Sequence, residues 1–394
     1  MTKPVILSGC RTAIGSAFRG SLTETSAFDL AESVVTEALR RSGLEAADVD
    51  DVVLAEGLYG GGVIARHAAI TAGLTQAPGL AVNRHCAASL ASVQVAAADV
   101  AAGMVDAVIA GGVSSPSTSP KSSWRRPGST EVTEGWISPS HPDSAEAPNL
   151  DMSITVGWNA ANLAGVTRQE MDSWAARSHQ RAVESIDRGD FADEIVPIKV
   201  TRGDGEVITW DTDEHPRRGS TVEKLGELKV LHPEIEGFSI TAGNSSGIND
   251  GAAAVVVASP DLAAKRGVTP LATILSWASV GVDPAETGLA NVTVIPKALE
   301  RAGVALADVK RFEINEAFAS VLVATTRQLG LDEARVNVNG SGCSLGHPVA
   351  ATGGRMLVTL IHELRRQGGG MGVASMCAGG GMGAATVIEV FAPA

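Results

Sequence analysis

The sequence predicts an α/β fold made of two duplicated halves, with a loop-rich segment inserted into the first half. Three observations support this prediction: the chain is long, strand-like and helix-like patterns alternate along it, and one stretch of sequence occurs twice. Its 394 residues exceed the roughly 250–300 that one hydrophobic core usually accommodates, so we expect at least two packed units. A hydrophobic content of 44% and a charged content of 19% are ordinary for a globular protein.

The strongest sign of duplication is a match without gaps between residues 38–57 and residues 298–317. In both copies a helical pattern ends at a glycine, Gly43 or Gly303, and a short connection containing Asp leads into a strand-like run. A second, weaker match lies at residues 108–112 and 374–380. The long spacing excludes a solenoid repeat and indicates one α/β unit in each half. Chance similarity between Ala-rich helices is the poorer explanation, because several residue types match.

The elements follow from hydrophobic patterning and from glycine and proline boundaries. Strands are predicted at Val5–Ser8, Val52–Ala55, Ala107–Ala110, Ala252–Ala258, Phe312–Asn315, Gly372–Met376 and Thr386–Val390. Helices are predicted at 27–42, 86–102, 295–302, 316–329 and 353–367. Because strands and helices alternate, we expect parallel sheets with the helices outside.

The middle of the chain has a different composition. Residues 114–150 are rich in Ser, Pro and Gly and are typical of loop. Residues 167–189 then predict an amphipathic helix, with a capping box formed by Thr167 and Glu170 and an end at Gly189. We therefore divide the chain into a first half (1–118 plus 246–270), an inserted loop or lid domain (119–245) and a second half (271–394).

Charge and cysteine content limit the functions that the chain can have. The net charge of -13 argues against general nucleic-acid binding and against an anionic membrane surface, but a local basic pocket could still bind a small anion. The opening residues do not form a signal peptide, and no apolar run reaches the 18 residues typical of a membrane span. The four cysteines have no CxxC pair and no metal-ligand spacing, which favours a reduced, cytoplasmic protein without a metal site.

Cys86 is the first candidate for chemistry. It follows a strand-like approach and precedes a helix of small residues, so we expect its thiol at a helix N-terminus. There the helix dipole and free N–H groups would lower the pKa of the thiol and make it a good nucleophile. The structural alternative is a cysteine that fills the core beside an Ala-rich helix.

Three further motifs contain residue types that can act together with a thiol. His347 lies in a tight loop of glycines and a proline, where an imidazole can serve as a general base or can simply be solvated. Cys377 lies where a strand enters a glycine turn, which can form an oxyanion hole or serve close packing. Asn315 lies between a strand and a helix, where its amide can hold a water or an enolate oxygen or can cap the helix.

In chain order these motifs read NxxC, NEAF, GHP and CxGGGMG, and their combination resembles the thiolase family of acyl-CoA C-acyltransferases. The resemblance covers nearly the whole chain. It includes the opening at residues 11–15, which is similar to the family's RTPIG, and residues 240–253, which are similar to its TAGNASGLNDGAA. It implies a five-layered α-β-α-β-α fold in which the two duplicated halves are stacked, and an assembly of two or four copies.

By the same resemblance, Cys86 is the nucleophile that takes the acyl group from an acyl-CoA, and His347 accepts its proton. Cys377 removes the α-proton of a second acyl-CoA. The enolate oxygen is held by His347 and by a water bound to Asn315. The N–H groups of Cys86 and Gly379 form a second oxyanion hole for the tetrahedral adduct.

The resemblance also implies substrate contacts, and some positions depart from the family's pattern. The implied contacts are at Ser246, Arg217, Phe318, Thr287 and Met152. The departures are Ala87-Ala88-Ser89 after the nucleophile, Asp151 in place of a histidine, Thr287 in place of the acyl-pocket methionine, and Ala350 in place of a glycine. No departure removes a catalytic atom, and together they leave the choice of substrate open.

The implied activity is reversible condensation of two acyl-CoAs, acetyl-CoA to acetoacetyl-CoA being the first expectation, or thiolysis of a 3-ketoacyl-CoA in lipid metabolism. The partners are acyl-CoA and CoA, which are substrates, and no tightly bound cofactor is expected. The alternative within the family is a degradative 3-ketoacyl-CoA thiolase for longer chains. The alternative from another class is a non-catalytic thiolase-like binding protein or subunit.

Overall fold

In the computed structural model, which describes residues 2–57, 59, 63–201 and 205–393, strands and helices alternate along both halves of the chain. The strands are β1 (Val5–Arg11), β2 (Gly15–Ser16), β3 (Asp51–Ala55), β4 (Gly79–Val82), β5 (Ala107–Ser114), β6 (Ser123–Arg125), β7 (Val132–Glu134), β8 (Ile198–Thr201), β9 (Val207–Trp210), β10 (Asn249–Ala258), β11 (Ala272–Gly281), β12 (Val309–Ile314), β13 (Gly370–Ala378) and β14 (Met382–Val390). The helices are α1 (Ala27–Ser42), α2 (Ile64–Thr71), α3 (Ala88–Ala101), α4 (Asn159–Ala164), α5 (Arg168–Arg188), α6 (Val222–Gly226), α7 (Pro260–Arg266), α8 (Ala290–Ala302), α9 (Ala319–Leu329) and α10 (Thr352–Arg366).

The main sheet runs in the order β12-β13-β14-β11-β1-β10-β5-β3-β4. The two halves meet at β1 and β11, which are paired through Val5 with Thr273 and Ile6 with Ala272. The expectation of parallel sheets is only partly right, because β3 is parallel to β4 and β5, and β12 to β13, whereas the strands at the centre are antiparallel. For β13 and β14 the antiparallel pairing follows from the tight glycine turn that joins them, which leaves no room for a crossover helix.

Three apolar clusters show the layers. One lies between the first half of the sheet and the outer helices α1 and α2, and another lies between the second half and α8 and α9. The third cluster contains residues of α3 and α10, such as Leu90 and Met356, together with strand residues from both halves, such as Val255 and Ile388. The order is therefore helix, sheet, helix, sheet, helix. This confirms the predicted five-layered fold.

The duplicated segments adopt the same local structure. Helix α1 ends before Gly43, whose φ is +72°, and α8 ends before Gly303, whose φ is +67°. Each is followed by a 3₁₀ turn and then by an equivalent strand, β3 or β12. Because glycine adopts a left-handed backbone without steric cost, these two ends were readable from sequence. Helix α8 begins earlier than predicted and contains Pro296 in its interior.

The segment between β5 and β10 contains two small hairpins, β6–β7 and β8–β9, one turn of π-helix at Ser153–Trp158, and helices α4 to α6. The predicted capping box forms at the start of α5, between Thr167 and Glu170. Arg11 of β1 anchors this segment, because its buried guanidinium donates to Glu194 at 2.6 Å and to Asp213 at 2.8 Å. Removing one partner of such a buried group typically costs ~3–5 kcal/mol. Within the described residues, no helix is both long and apolar enough to cross a membrane.

Candidate active site

Cys86 lies in a sharp turn between β4 and α3. The preceding residue, His85, has a φ of +47°, which is uncommon for a residue other than glycine. Its backbone N–H donates to Asn83 Oδ1 at 2.8 Å. Such a strained turn is typical of a functional position and costs on the order of 1–3 kcal/mol. It leaves the Cys86 side chain half-buried, two residues before α3 begins at Ala88.

The electrostatics of Cys86 differ from the sequence prediction. Burial raises the pKa of its thiol, although the N–H groups of Gly379 and of Cys86 itself act in the opposite direction. The prediction of a lowered pKa is therefore wrong for the resting protein, because desolvation outweighs these two N–H groups. The thiol is protonated at neutral pH, and a neighbouring base has to remove its proton.

Cys377 lies at the end of β13, immediately before the glycine turn. It is buried, and its backbone is paired with Gly383 of β14. Burial, followed by the nearby Cys86, raises the pKa of its thiol to about 12. The two sulfurs thus lie close enough to influence each other, and the Gly379 N–H that follows Cys377 faces Cys86.

His347 is held in one orientation by hydrogen bonds at both its backbone and its ring. Its backbone N–H donates to Asn249 Oδ1 at 2.9 Å, directly after Gly346, whose φ is +103°. Its Nδ1 lies 2.6 Å from Thr352 Oγ1, and the Thr352 hydroxyl already donates to the Pro348 carbonyl at 2.9 Å. Since that hydroxyl has only one hydrogen, it accepts from Nδ1–H. The neutral ring therefore presents a lone pair at Nε2.

The lone pair of His347 Nε2 faces the Asn315 amide, whose Nδ2 lies 3.3 Å away. Burial, together with the charge of Arg355, lowers the pKa of His347 to about 3, so the ring is neutral in the resting protein. The backbone N–H of Asn315 donates to Ser375 on β13 at 3.0 Å, which places Asn315 beside the strand that carries Cys377. Asn315 Oδ1 is buried and has no hydrogen-bond partner among the described residues.

Three of the residues that depart from the family's pattern, Ala88, Ser89 and Ala350, contribute to the contact between the segments that follow Cys86 and His347. Ala88 at the start of α3 forms a small cluster with Ala55 and Ala350. Ser89 Oγ accepts the backbone N–H of Gly354 on α10 at 3.0 Å. The segment directly after Cys86 is therefore packed against the segment directly after His347.

Glu316 is a structural residue whose role the sequence prediction missed. Its buried carboxylate accepts hydrogen bonds from Trp174 Nε1 at 2.9 Å, Ser178 Oγ at 2.6 Å, Asn337 Nδ2 at 2.8 Å and the Cys343 N–H at 3.2 Å. These bonds join α5 and the loop before His347 to the strand end that carries Asn315. An acid directly before the apolar pair Ala317-Phe318, at the start of a buried helix, was the signal that could have revealed it.

The predicted substrate-binding residues border this site at different depths. Phe318 is buried against Gly157, and a side chain added at Gly379 would lie 3.4 Å from Met152 Sδ. Thr287 is fully buried. The backbone N–H of Ser246 donates to the carbonyl of Ala317, two residues after Asn315, at 2.9 Å.

Arg217 lies at the surface. Its backbone N–H donates to His179 Nδ1 at 3.2 Å, and no partner of its guanidinium is found in the described part of the chain. The neighbouring Arg218 instead forms an ion pair with Asp187. His215, two residues before Arg217, donates to the Ser344 carbonyl in the loop before His347. This hydrogen bond connects the surface loop that carries Arg217 to the loop that precedes His347.

Comparison with known proteins gives a consistent result along the whole chain. Residues 4–261 match the family described as thiolase, N-terminal domain, and residues 268–390 match thiolase, C-terminal domain. The acetyl-CoA acetyltransferase of Pseudomonas aeruginosa is 41% identical, over 98% of this chain and 99% of that protein.

Two solved structures have the same fold. The Bacillus anthracis acetyl-CoA acetyltransferase is 36% identical and superposes with a TM-score of 0.90, covering 99% of both chains. The human mitochondrial 3-ketoacyl-CoA thiolase is 34% identical, with a TM-score of 0.90 and the same coverage.

Proposed function

The chain belongs to the thiolase family, and from that premise we propose that it is an acyl-CoA C-acyltransferase working through an acyl-Cys86 intermediate. The reaction is condensation of two acyl-CoAs, acetyl-CoA first among them, or thiolysis of a 3-ketoacyl-CoA. The observations that support the proposal most directly are that the Gly379 N–H and the Cys377 thiol lie beside the Cys86 thiol, and that a neutral His347 imidazole faces Asn315, which is bonded to the strand that carries Cys377.

The first half-reaction transfers the acyl group to the protein. As Cys86 Sγ attacks the thioester carbonyl, its proton passes to His347 Nε2, which carries a lone pair in this structure. The carbonyl oxygen becomes an oxyanion, which the N–H groups of Cys86 and Gly379 stabilise. Collapse of this adduct breaks the bond to CoA. The departing CoA thiolate takes the proton of the Cys377 thiol, which leaves a Cys377 thiolate beside a His347 imidazolium.

The second half-reaction forms the carbon–carbon bond. The α-proton of a thioester is only weakly acidic, so its removal needs a strong base and donors for the enolate oxygen. The raised pKa of Cys377 makes its thiolate such a base, and His347 Nε2–H together with a water bound to Asn315 supplies the donors. The carbanion attacks the acyl group, and the released Cys86 thiolate regains its proton from His347. All three groups are then neutral again, and thiolysis follows the same steps in reverse.

Several finer features belong to the same proposal. The acidic chain with four free cysteines fits a cytoplasmic homodimer or homotetramer that takes CoA thioesters as substrates and holds no tightly bound cofactor. The segment 119–245 serves as a lid that contributes to CoA binding, since it carries Met152 and Arg217. The two halves, 1–118 with 246–270 and 271–394, supply the thiols and the imidazole.

The order of events is tested by intact mass after mixing with acetyl-CoA. We expect one added acetyl group on the wild-type protein and on Cys377→Ala, and none on Cys86→Ala. Cys10→Ala is the matched control, because Cys10 is buried away from this site against Val34. Acetylation of the Cys86→Ala protein at another cysteine would overturn the assignment.

Chain length and catalytic competence are tested by steady-state thiolysis of 3-ketoacyl-CoAs from four carbons upward, with acetyl-CoA condensation measured alongside. A maximum at the shortest substrate supports the acetyl-CoA enzyme, whereas a maximum at longer chains supports the degradative alternative. Turnover of none of these substrates, by a folded protein, would favour the non-catalytic binding protein.

A further inference from the structure

The oxyanion loop, residues 379–381, is the part of the site with the least intrinsic order. It joins β13 to β14 through three consecutive glycines, and Gly380 and Gly381 have φ values of +87° and +73°. Glycine loses more conformational freedom on ordering than any other residue. The direction of the Gly379 N–H, which faces Cys86, therefore depends on contacts that hold the loop from outside.

Gly381 receives these contacts on both sides of its peptide backbone. Its carbonyl accepts the backbone N–H of Val282 at 2.7 Å, and its N–H donates to Thr287 Oγ1 at 2.9 Å. Both partners belong to the connection between β11 and α8. A Cβ at Gly381 would collide with the Val282 carbonyl oxygen, so this close approach requires glycine.

The Thr287 hydroxyl is committed to this contact. Its single hydrogen is donated to the carbonyl of Pro284 at 2.7 Å, within the 3₁₀ turn Pro284–Leu289. A lone pair therefore remains for the N–H of Gly381. Thr287 has no exposed surface, so water cannot replace the hydroxyl as an acceptor from the solvent side.

We propose that Thr287 is a positioning residue of the oxyanion hole: by binding Gly381 it fixes the direction of the Gly379 N–H toward the oxygen that develops charge on the acyl group of Cys86. The inference rests on the proposed function, because the oxyanion exists only if Cys86 is acylated. Thr287 thus acts on the reaction by holding the glycine loop, and not by contacting the acyl chain.

The test compares Thr287→Val, which keeps the shape and removes the acceptor, with Thr287→Ser, which keeps the hydroxyl. We expect Thr287→Val to lower kcat for thiolysis by about 10- to 100-fold, less than the roughly 100- to 1000-fold loss on removing an oxyanion donor outright, with KM changed less than about twofold. Thr287→Ser should stay within about threefold of wild type in both. Thr325→Val is the matched control, since Thr325 is equally buried and donates only to Val321 within α9.

Two outcomes overturn the proposal: wild-type kcat in folded Thr287→Val, or a Thr287→Ser protein as slow as Thr287→Val, which would show that side-chain shape matters and the hydroxyl does not. If Thr287→Val does not fold, Thr287→Cys decides: because sulfur is only a weak acceptor, the kcat of Thr287→Cys should be lower than that of Thr287→Ser. A Thr287→Cys protein with full kcat would refute the proposal. Failure of the wild-type protein to acetylate Cys86 would instead refute the proposed function.

Discussion

Replacing Thr352 by valine should disable the base of the site without touching a reacting atom. The Thr352 hydroxyl accepts the Nδ1–H of His347 at 2.6 Å, and that bond keeps the proton on Nδ1 and leaves a lone pair on Nε2, which faces Asn315. Valine has nearly the same shape and no acceptor. The buried Nδ1–H would then be left without a partner, since His347 has only about 5% of its surface exposed.

The size of the effect follows from the cost of a buried, unsatisfied N–H, about 1–3 kcal/mol. The neutral ring can avoid this cost by moving its proton to Nε2, which then can no longer accept the proton of Cys86. At a factor of ten for each 1.4 kcal/mol, the population of the competent tautomer falls by roughly 5- to 150-fold. The Asn315 amide, which donates to Nε2 in the wild type, opposes the shift and favours the lower half of this range.

The assay is the single-turnover rate of Cys86 acetylation by acetyl-CoA, followed by quenching and intact mass. We expect Thr352→Val to reduce this rate about 5- to 30-fold, and Thr352→Ser to keep it within about threefold of wild type. Thr325→Val again serves as the control for loss of a buried threonine hydroxyl. Wild-type acetylation by a folded Thr352→Val protein would refute the argument about the tautomer.

Three further predictions concern pH, CoA binding and thiol reactivity. His347 has a pKa of about 6.5 in the unfolded chain and of about 3 in the native protein, so the unfolded chain binds its proton first as the pH falls. The free energy of unfolding should therefore decrease below pH 6.5, and this residue should account for about 2 kcal/mol of the decrease at pH 5. Urea unfolding of His347→Gln should show a shallower decrease, and an identical slope would contradict it. Arg217→Ala should raise KM for CoA several-fold at low salt and less at high salt, because salt screens the attraction between the guanidinium and the CoA phosphates. Arg218→Ala loses only a surface ion pair and should leave KM for CoA unchanged. Equal effects of the two substitutions would argue against a CoA contact at Arg217. Iodoacetamide should label Cys86 faster than Cys10, which is fully buried. The rate of Cys86 labelling should still rise through about pH 8.5, because burial raises the pKa of its thiol. A labelling rate that is constant below about pH 7 would instead show a preformed thiolate.

Local features were predictable from sequence where the interactions that produce them are local. Helix α1 was predicted with the observed bounds, and α5 was bounded by the capping box at Thr167 and by Gly189. By contrast β11 was not predicted. Its buried and half-buried residues alternate, but its apolar positions include small residues, so its hydrophobic contrast is weak.

The four chemical motifs and their family resemblance were also readable from the residues alone, and they pointed to Cys86, His347, Cys377 and Asn315 before any coordinates. The direction of the Cys86 pKa was not, because desolvation and the N–H of Gly379 come from parts of the chain that are far apart in sequence. The tautomer of His347 likewise depends on how one loop folds back onto Thr352.

Residue types and their order along the chain were thus enough to identify the thiolase fold and to nominate the groups proposed to do the chemistry. Folding in three dimensions then set how those groups behave: which thiol is buried, which ring nitrogen carries the proton, and which side chain holds the glycine turn. The physical reason is that burial and hydrogen-bond satisfaction depend on neighbours in space, such as Thr287 beside Gly381, and these neighbours have no fixed spacing in the sequence.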